Sequence, residues 1–273
     1  MNNSIRAAAT GDIMFKIILG DPRHSRLLIH FLNCAIKSES PITSVEIVNS
    51  ELSPDYVGQK GVRLDITAKT ENGELINVEM QREIEHHMAA RALFYWSRMF
   101  SQQIVKGGQY HQLKRTISIG ILDFNLFRDD RCWRKCRIID SETKEEMTEL
   151  LEIQFIELNK LHEIDKSSPI TFWIEFFKNP YSESVSSLCE FVPEINEAVK
   201  IYEKAKTDPK LQALVESREK AMLDYTNDIA CAEEKGELKG KRETARAMLA
   251  DGVPLDTVST YTGLSIDEIK AIS

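Results

Sequence analysis

The stretch Val62–Gln81, VRLDITAKTENGELINVEMQ, reads as two β-strands joined by a tight turn, and it decides the fold. Its Asn72-Gly73 dipeptide tolerates the positive φ that tight hairpin turns require. A two-residue turn centred on this dipeptide would place Ile66 opposite Glu79, which mixes apolar and charged side chains on both faces. A three-residue loop, with Gly73 in the left-handed conformation, is the other register that the sequence allows.

The three-residue loop separates apolar from polar side chains. Its apolar pairs are Leu64 with Met80, Ile66 with Val78 and Ala68 with Ile76. Its other face carries Asp65 across from Glu79, with Gln81 one step further along. We therefore predict this register for a half-buried antiparallel pair, because a slip of one residue would destroy the apolar face.

Two facing carboxylates at Asp65 and Glu79 need a physical reason. Directly opposed residues in an antiparallel pair have Cβ atoms roughly 4.5–5.5 Å apart, and like charges so placed repel. A hard cation such as Mg²⁺, which is held by one or two carboxylates and several waters, would turn this repulsion into attraction. The alternative is that the two acids form the solvated face of an exposed hairpin.

The length and composition fit a globular chain with one sizeable core and an appendage, or with two small domains. The sequence has no run of about 18 apolar residues, so we expect no membrane span. The N-terminus lacks the apolar segment of a secretory signal. The five cysteines are scattered and odd in number, which is unlike a disulfide framework and favours a reducing, cytoplasmic setting.

The formal net charge of −8 is unevenly distributed along the chain. Residues 1–130 hold 15 basic and 15 acidic side chains, whereas residues 131–273 hold 20 basic and 28 acidic ones. The acidic excess is therefore C-terminal. Because local patches set the field that a ligand meets, the total charge neither supports nor excludes a nucleic-acid partner.

Hydrophobic periodicity predicts an α/β fold in which a mixed sheet is flanked by helices. The order from the N-terminus is helix, strand, strand, strand, helix, strand. Outside the hairpin, these elements are expected at residues 12–20, 24–37, 41–49, 88–105 and 115–124. Further strands are expected at 136–140 and 150–158, and a short helix at 168–180.

The sequence predicts three regions: a domain over residues 1–190, a charged helical extension over 191–250, and a small helix-turn-helix-like piece over 251–273. In this last piece, Gly263 ends one helix, and Ser265 with Glu268 forms a capping box for the next. Its acids outnumber its one base, Lys270, which argues against a recognition helix in a phosphate-lined groove. A role in binding a partner or in self-association is expected instead, while the four bases in residues 239–246 just upstream leave a contact to the DNA backbone open.

Several motifs resemble one known family. The hairpin string LDITAKTENGELINVEMQ is similar to the Rpn-type branch of the PD-(D/E)XK nucleases, the recombination-promoting nucleases often labelled transposases. Asp12-Ile-Met-Phe15-Lys16 resembles the family's opening D-x-x-F-K, and Arg91-Ala-Leu-Phe-Tyr95-Trp96 resembles its R-x-x-x-Y-W helix. Residues 233–273 are similar to the family's C-terminal tail.

The resemblance implies a restriction-endonuclease-like αβββαβ core that carries a metal-dependent DNA endonuclease. Asp65 and Glu79 would be the two metal-binding carboxylates, and Gln81 would occupy the lysine position of the superfamily. Leu64 stands where the superfamily has a proline. Asp12 matches the position of a further acid from the first helix, although a helix N-cap explains it equally well.

Gln81 leaves the activation of water open. A neutral amide hydrogen-bonds water but cannot act as a cation. Either Mg²⁺ (or Mn²⁺) alone activates the water, or a neighbouring cation such as Lys16 or Arg91 substitutes. Arg91 and Tyr95 lie one helical turn apart and share a face, so they could hold the scissile phosphate, or Arg91 could buttress the carboxylates.

Two further clusters have alternative interpretations. The segment 127–137, FRDDRCWRKCR, combines basic residues with Trp133, as a nucleic-acid groove would, but Asp129 and Asp130 favour a solvated loop. Cys132 and Cys136 give a weak zinc signal that we reject, because no second Cys or His pair lies nearby.

The sequence thus supports two hypotheses of different class. The first is a cytoplasmic, Mg²⁺-dependent endonuclease that acts on DNA in recombination, in mobile elements or in defence. The second is a catalytically weak protein of the same fold that binds DNA or assembles with partners. Under either hypothesis the C-terminal helices could mediate self-association.

Overall fold

The computed structural model describes residues 9–48, 51–52, 62–63, 65–82, 87–104 and 107–272. The strands are β1 Val45–Val48, β2 Glu51–Leu52, β3 Val62–Arg63, β4 Ile66–Thr70, β5 Leu75–Gln81, β6 Thr116–Leu122, β7 Trp133–Cys136 and β8 Leu151–Glu157. The helices are α1 Asp12–Leu19, α2 Ser25–Ile36, α3 Met88–Ser101, α4 Ile170–Lys178, α5 Glu183–Leu188, α6 Pro193–Thr207, α7 Pro209–Ala250, α8 Leu255–Thr262 and α9 Ile266–Ile272.

Six strands form one mixed sheet in the order β1-β4-β5-β6-β8-β7. The strands β1, β4 and β5 are antiparallel neighbours, whereas β5, β6 and β8 run parallel. The edge strand β7 is antiparallel to β8. The predicted α/β class, with a mixed sheet flanked by helices and an αβββαβ order, is confirmed.

The hairpin of β4 and β5 adopts the three-residue-loop register. Ile66 pairs with Val78 and Ala68 with Ile76, as predicted. The Thr70 N–H donates to the carbonyl of Glu74 at 3.0 Å, which closes the loop. Gly73 has a φ of 83°, in the left-handed region.

The start of the hairpin differs from the prediction. Val62 and Arg63 pair with β2 in a separate two-stranded sheet, and the hairpin strand β4 begins only at Ile66. Leu64 lies outside the described residues, so its predicted pairing with Met80 stays a prediction.

Two apolar layers cover the two faces of the large sheet. One face packs against α1, α2, α4 and α6, through residues such as Phe15, Phe31 and Trp173. The other face packs beneath α3, through Met88 and Trp96. The strand β6 is buried along its whole length, as its β-branched run predicted.

Burial of both faces corrects the expectation of a half-buried hairpin. Thr67 is 4% exposed, Asn77 0% and Glu79 4%, although all three stand on the polar face. On this side of the sheet α3 packs against β5, β6 and β8. The middle of the polar face is therefore buried, whereas Lys69 near the turn is exposed.

The three tryptophans lie in three different surroundings. Trp173 is fully buried among the helices, where its indole N–H donates to His30 Nδ1 at 3.0 Å. The indole N–H of Trp96 donates to the carbonyl of Thr116 at 2.7 Å beneath α3. The indole N–H of Trp133 donates to Gln154 Oε1 at 2.9 Å at the β7 edge.

The chain divides into two compact units between Gln212 and Ala213. The second unit has its own small core, which consists of Ala245, Val258, Leu264 and Ile269. Its predicted capping box is confirmed, since the Ser265 N–H donates to Glu268 Oε2 at 2.9 Å and the Glu268 N–H donates to Ser265 Oγ at 3.3 Å. The domain boundaries expected near residues 190 and 250 stay predictions.

None of the helices in the described part of the chain is long and apolar enough to cross a membrane.

Candidate active site

Asp65 lies at a bend immediately before β4, at the open end of the hairpin. The backbone N–H of Met80 donates to Asp65 Oδ2 at 3.2 Å, so the carboxylate reaches across to β5. Met80 directly follows Glu79, and the observed register ends at the pair of Ile66 with Val78, next to both acids. The Asp65 carboxylate therefore lies beside the strand that carries Glu79, at the open end of the β4–β5 pair.

Two helices on opposite faces of the sheet supply cations to the two acids. Lys16 of α1 places its Nζ 3.1 Å from Asp65 Oδ1. Arg91 of α3 places its Nη2 3.9 Å from Glu79 Oε2. Each acid is thus close to a cation from a different layer of the fold, which offsets the repulsion between two carboxylates.

Asp12 joins this cluster through Lys16. Its Oδ1 lies 2.9 Å from Lys16 Nζ, one helical turn along α1. The interpretation of Asp12 as a helix N-cap is wrong, because Gly11 is the N-cap and Asp12 is the first helical residue. Lys16 therefore stands between the carboxylates of Asp12 and Asp65.

Burial and charge act in opposite directions on Asp65. Its burial raises its pKa above the usual range, and the charge of Lys16 and the Met80 N–H only partly offset this effect. For Lys16, burial lowers the pKa, but the hydrogen bond to Asp12 and the charge of Asp65 outweigh it, so the net shift is upward. Lys16 therefore remains a cation over the physiological pH range. An added positive charge near Asp65 would stabilise its ionised form, which burial disfavours.

The remaining predicted residues surround Glu79. Gln81 is half-buried at the end of β5, two residues beyond Glu79 and therefore on the same face of the strand. Its backbone carbonyl accepts a hydrogen bond from the Asp123 N–H at 2.9 Å. The Arg91 guanidinium lies 5.1 Å from the centre of the Tyr95 ring, so these two side chains do share a face of α3.

Sequence reasoning gave no role to Asn77, which precedes Glu79 by two residues on the same face. Its side chain is fully buried, and its amide oxygen and nitrogen have no hydrogen-bond partner among the described residues. The Thr67 hydroxyl, directly opposite in the register, is likewise without one in this part of the structure. The alternation of polar residues along the hairpin predicts that Thr67 and Asn77 share one face. It does not predict that this face is buried.

The donor set suits a divalent ion that keeps part of its water shell. Within the described ranges, no group of three or more His, Cys, Asp or Glu side chains converges as a metal cage would. Mg²⁺ does not require such a cage, because one or two carboxylates and several waters suffice. The Asp65 side chain is 22% exposed, so water can reach it, and Lys16 already supplies a positive charge at its Oδ1.

The basic segment 127–137 is organised by its own acids. Arg131 and Arg134 both bind Asp129, at 2.9 and 2.7 Å. The indole of Trp133 turns inward to Gln154. This arrangement fits a structured solvated loop better than a row of residues open to nucleic acid.

A helix, three strands, a helix and a strand, with acids at the hairpin end, define the PD-(D/E)XK class of nuclease fold. A family model described as PD-(D/E)XK nuclease family transposase matches residues 9–232, and the chain belongs to this family. A second family model, the C-terminal HTH domain of the Rpn/YhgA-like nuclease family, matches residues 239–273. Searches of curated proteins and of solved structures found no match.

Proposed function

We propose that this protein is a divalent-metal-dependent endonuclease that hydrolyses phosphodiester bonds of DNA, in recombination or in the movement of mobile elements. The observation that carries the proposal is the hydrogen bond from Met80 N–H to Asp65, which holds this carboxylate beside Glu79. All five cysteines are free thiols, in keeping with a reducing cytoplasm as the place of action.

Asp65 and Glu79 would hold the metal, with Mg²⁺ as the expected ion and Mn²⁺ as a substitute. When bound, such an ion lowers the pKa of a coordinated water and stabilises negative charge on the phosphate. The exposed part of the Asp65 side chain is the side from which water and phosphate can approach.

The chain's own residues orient the substrate around these acids. The neutral amide of Gln81 would hydrogen-bond the attacking water or a phosphate oxygen, since it has both donors and an acceptor. Arg91 and Lys16 would bind phosphate oxygens, and Tyr95 holds the Arg91 guanidinium in place through its ring. Asp12 positions Lys16 from one helical turn away.

The test is cleavage of supercoiled plasmid DNA by the purified protein with Mg²⁺. Asp65→Asn and Glu79→Gln should each lower the rate by more than about 100-fold, since even indirect partners of a metal cost 10–100-fold when they are removed. Glu46→Gln, an exposed carboxylate on the edge strand β1 of the same sheet, is the matched control and should cleave like the wild type. Equal rates for Asp65→Asn and Glu46→Gln would overturn the assignment.

Gln81 favours a second candidate, a catalytically weak protein of this fold that mainly binds DNA or assembles with partners. The site has a neutral amide where a cation is usual in the superfamily. Calorimetry separates the two candidates, because a nuclease should bind Mn²⁺ and lose that binding in Asp65→Asn. A protein that binds DNA but takes up no Mn²⁺ would favour the second candidate.

For the C-terminal unit we propose a role in binding a protein partner, which includes a second copy of this chain. Its last helix α9 has Asp267 and Glu268 in its first turn and holds one base, Lys270. Such a helix is repelled by phosphates, although the HTH family match is typical of DNA binding. Sedimentation of the intact protein over a range of concentrations tests self-association.

A further inference from the structure

A cleft of about 670 Å³ opens beside the candidate active site, within the first compact unit. Arg82 and Asp123 contribute one wall, and these residues directly follow β5 and β6. The Asp123 N–H donates to the carbonyl of Gln81, so this wall is built on the strand end that carries Gln81. The crevice beyond the carboxyl ends of parallel strands is where α/β sheets commonly bind ligands.

The cleft is positively charged. Its charged lining residues are three bases, Arg82, Lys178 and Lys206, and one acid, Asp123. Burial raises the pKa of Asp123, and the positive charge of Arg82 opposes this shift, so the two side chains interact electrostatically. The excess of positive charge suits an anion such as a phosphate group.

One wall of the cleft offers an aromatic ring held in a fixed position. Tyr181 is 50% exposed, and its ring centre lies 5.7 Å from that of Tyr202, which is only 3% exposed. Lys206 Nζ lies 5.0 Å from the centre of the Tyr181 ring and 3.5 Å from its hydroxyl oxygen. Tyr181 is thus half-exposed and held by Tyr202 and Lys206, and an exposed aromatic ring is a surface on which a base can stack.

The lysines are placed to bind phosphate without losing their internal contacts. Lys178 Nζ donates to the carbonyl of Leu161 at 2.7 Å, and an ammonium group has two further protons to donate. Its side chain is exposed, and that of Lys206 is partly exposed. A phosphate that reached both lysines would lie beside the ring of Tyr181.

We propose that this cleft binds a nucleotide of the DNA substrate, with its base against Tyr181 and its phosphate at Lys178 and Lys206. The inference rests on the proposed function, because it takes the ligand to be the strand that is cut. Arg82 follows Glu79 by three residues, or roughly 10 Å along an extended strand. The cleft therefore lies within reach of a DNA strand that is bound at the two acids.

The test is fluorescence anisotropy of a labelled DNA oligonucleotide with the full-length protein, with Ca²⁺ as the only divalent ion. Lys178→Gln with Lys206→Gln should weaken binding about tenfold and flatten the slope of log K against log salt by about 0.9, as expected for the loss of the one phosphate that both lysines contact. Lys200→Gln with Lys204→Gln is the matched control, because both lysines are exposed on α6 outside the cleft and the change in charge is the same.

Tyr181 provides a second, charge-independent variant. Tyr181→Ala should weaken binding about fivefold or more, and Tyr181→Phe should restore it to within about twofold, because the ring and not the hydroxyl stacks on the base. Circular dichroism confirms that each variant is folded. If all cleft variants bind the oligonucleotide as tightly as the lysine control does, the inference is overturned.

A free nucleotide has the same chemistry as a nucleotide in a strand, so deoxyadenosine monophosphate forms a second arm of the test. Calorimetry measures binding of the monophosphate. If Tyr181→Ala abolishes this binding but leaves oligonucleotide binding unchanged, the assignment of the cleft to substrate DNA is overturned. Failure of the proposed function gives a different result, because a protein that cleaves no DNA can still show weaker DNA binding in the cleft variants.

Discussion

At the scale of single residues, Lys16 explains how the fold tolerates an acid that burial disfavours. It lies 2.9 Å from Asp12 and 3.1 Å from Asp65 and neutralises part of their charge. Replacing the buried Asp65 carboxylate with a neutral group would stabilise the fold, whereas a metal site would need the carboxylate. Such a conflict between stability and local chemistry is common at functional sites.

We expect Asp65→Asn to increase the free energy of unfolding at pH 7 in EDTA. Burial raises the pKa of Asp65 in the folded state, so its favourable contribution is present below the unfolded pKa of about 3.9 and is lost as the pH rises through the folded pKa. The advantage of the asparagine variant should therefore be larger at pH 7 than at pH 3. Urea denaturation at the two pH values measures it.

Glu71 is the control of opposite sign. Hydrogen bonds from the backbone of Thr43 and Ser44 lower its pKa to about 2. Its contribution is present above the unfolded pKa and is lost as the pH falls. Glu71→Gln should therefore cost stability at pH 7, with a smaller deficit at pH 3. The same pH trend in both variants would contradict the assignment of Asp65.

Gln81 can be tested by a series at one position. Gln81→Ala should lower the rate of DNA cleavage about tenfold, because the amide that orients water or phosphate is lost. Gln81→Lys should cleave at least as fast as the wild type, since an ammonium group donates to the same oxygen atoms and adds positive charge. Single-turnover plasmid cleavage measures both. Wild-type rates in Gln81→Ala would mean that the amide takes no part.

At the scale of elements, the hairpin of β4 and β5 fixes the position of the acids, and Gly73 fixes the hairpin. An L-residue with a side chain pays roughly 1–2 kcal/mol for the left-handed conformation. Gly73→Ala should therefore lower the free energy of unfolding by about 1 kcal/mol. Chemical denaturation followed by circular dichroism measures the change.

Gly73→Asn is the matched control, because asparagine tolerates the left-handed region better than alanine does. It should cost less than Gly73→Ala at the same site. If the two variants are equally stable, the turn conformation does not determine the stability of the hairpin.

The sequence predicted the hairpin register and the buried strand β6 because both depend on local alternation and turn chemistry. It did not predict that the polar side chains of Thr67 and Asn77 are buried, since this burial depends on packing between elements distant in the chain. The Lys178 wall of the cleft was missed for the same reason. The N-cap prediction at Asp12 was wrong by one residue, because the cap is Gly11, which has no side chain that could mark it in the sequence.

At the scale of the whole molecule, the acidic excess of the chain lies in its C-terminal half. The C-terminal unit holds acids on its last helix, whereas the cleft of the first unit is lined by Lys178 and Lys206. We therefore expect contacts to DNA phosphates to come mainly from the first unit, although the second matches an HTH family.

Lys270→Gln should leave DNA affinity within about twofold of the wild type and should not change its salt dependence. The charge of one base among acids on α9 attracts phosphate weakly, and each true phosphate contact changes the slope of log K against log salt by about 0.9. Anisotropy titrations at several salt concentrations measure both quantities. A loss above fivefold would show that the C-terminal unit binds the DNA backbone.

Trp96, Trp133 and Trp173 lie in different surroundings, so their fluorescence can report on different parts of the protein. Each indole emits from a different layer: beneath α3, at the β7 edge, or among the helices of the opposite face. Replacing two of the three with phenylalanine leaves one emitter whose spectrum and quenching follow a single layer. Stopped-flow fluorescence of the three resulting proteins can then resolve the order in which the two faces of the sheet become covered during folding.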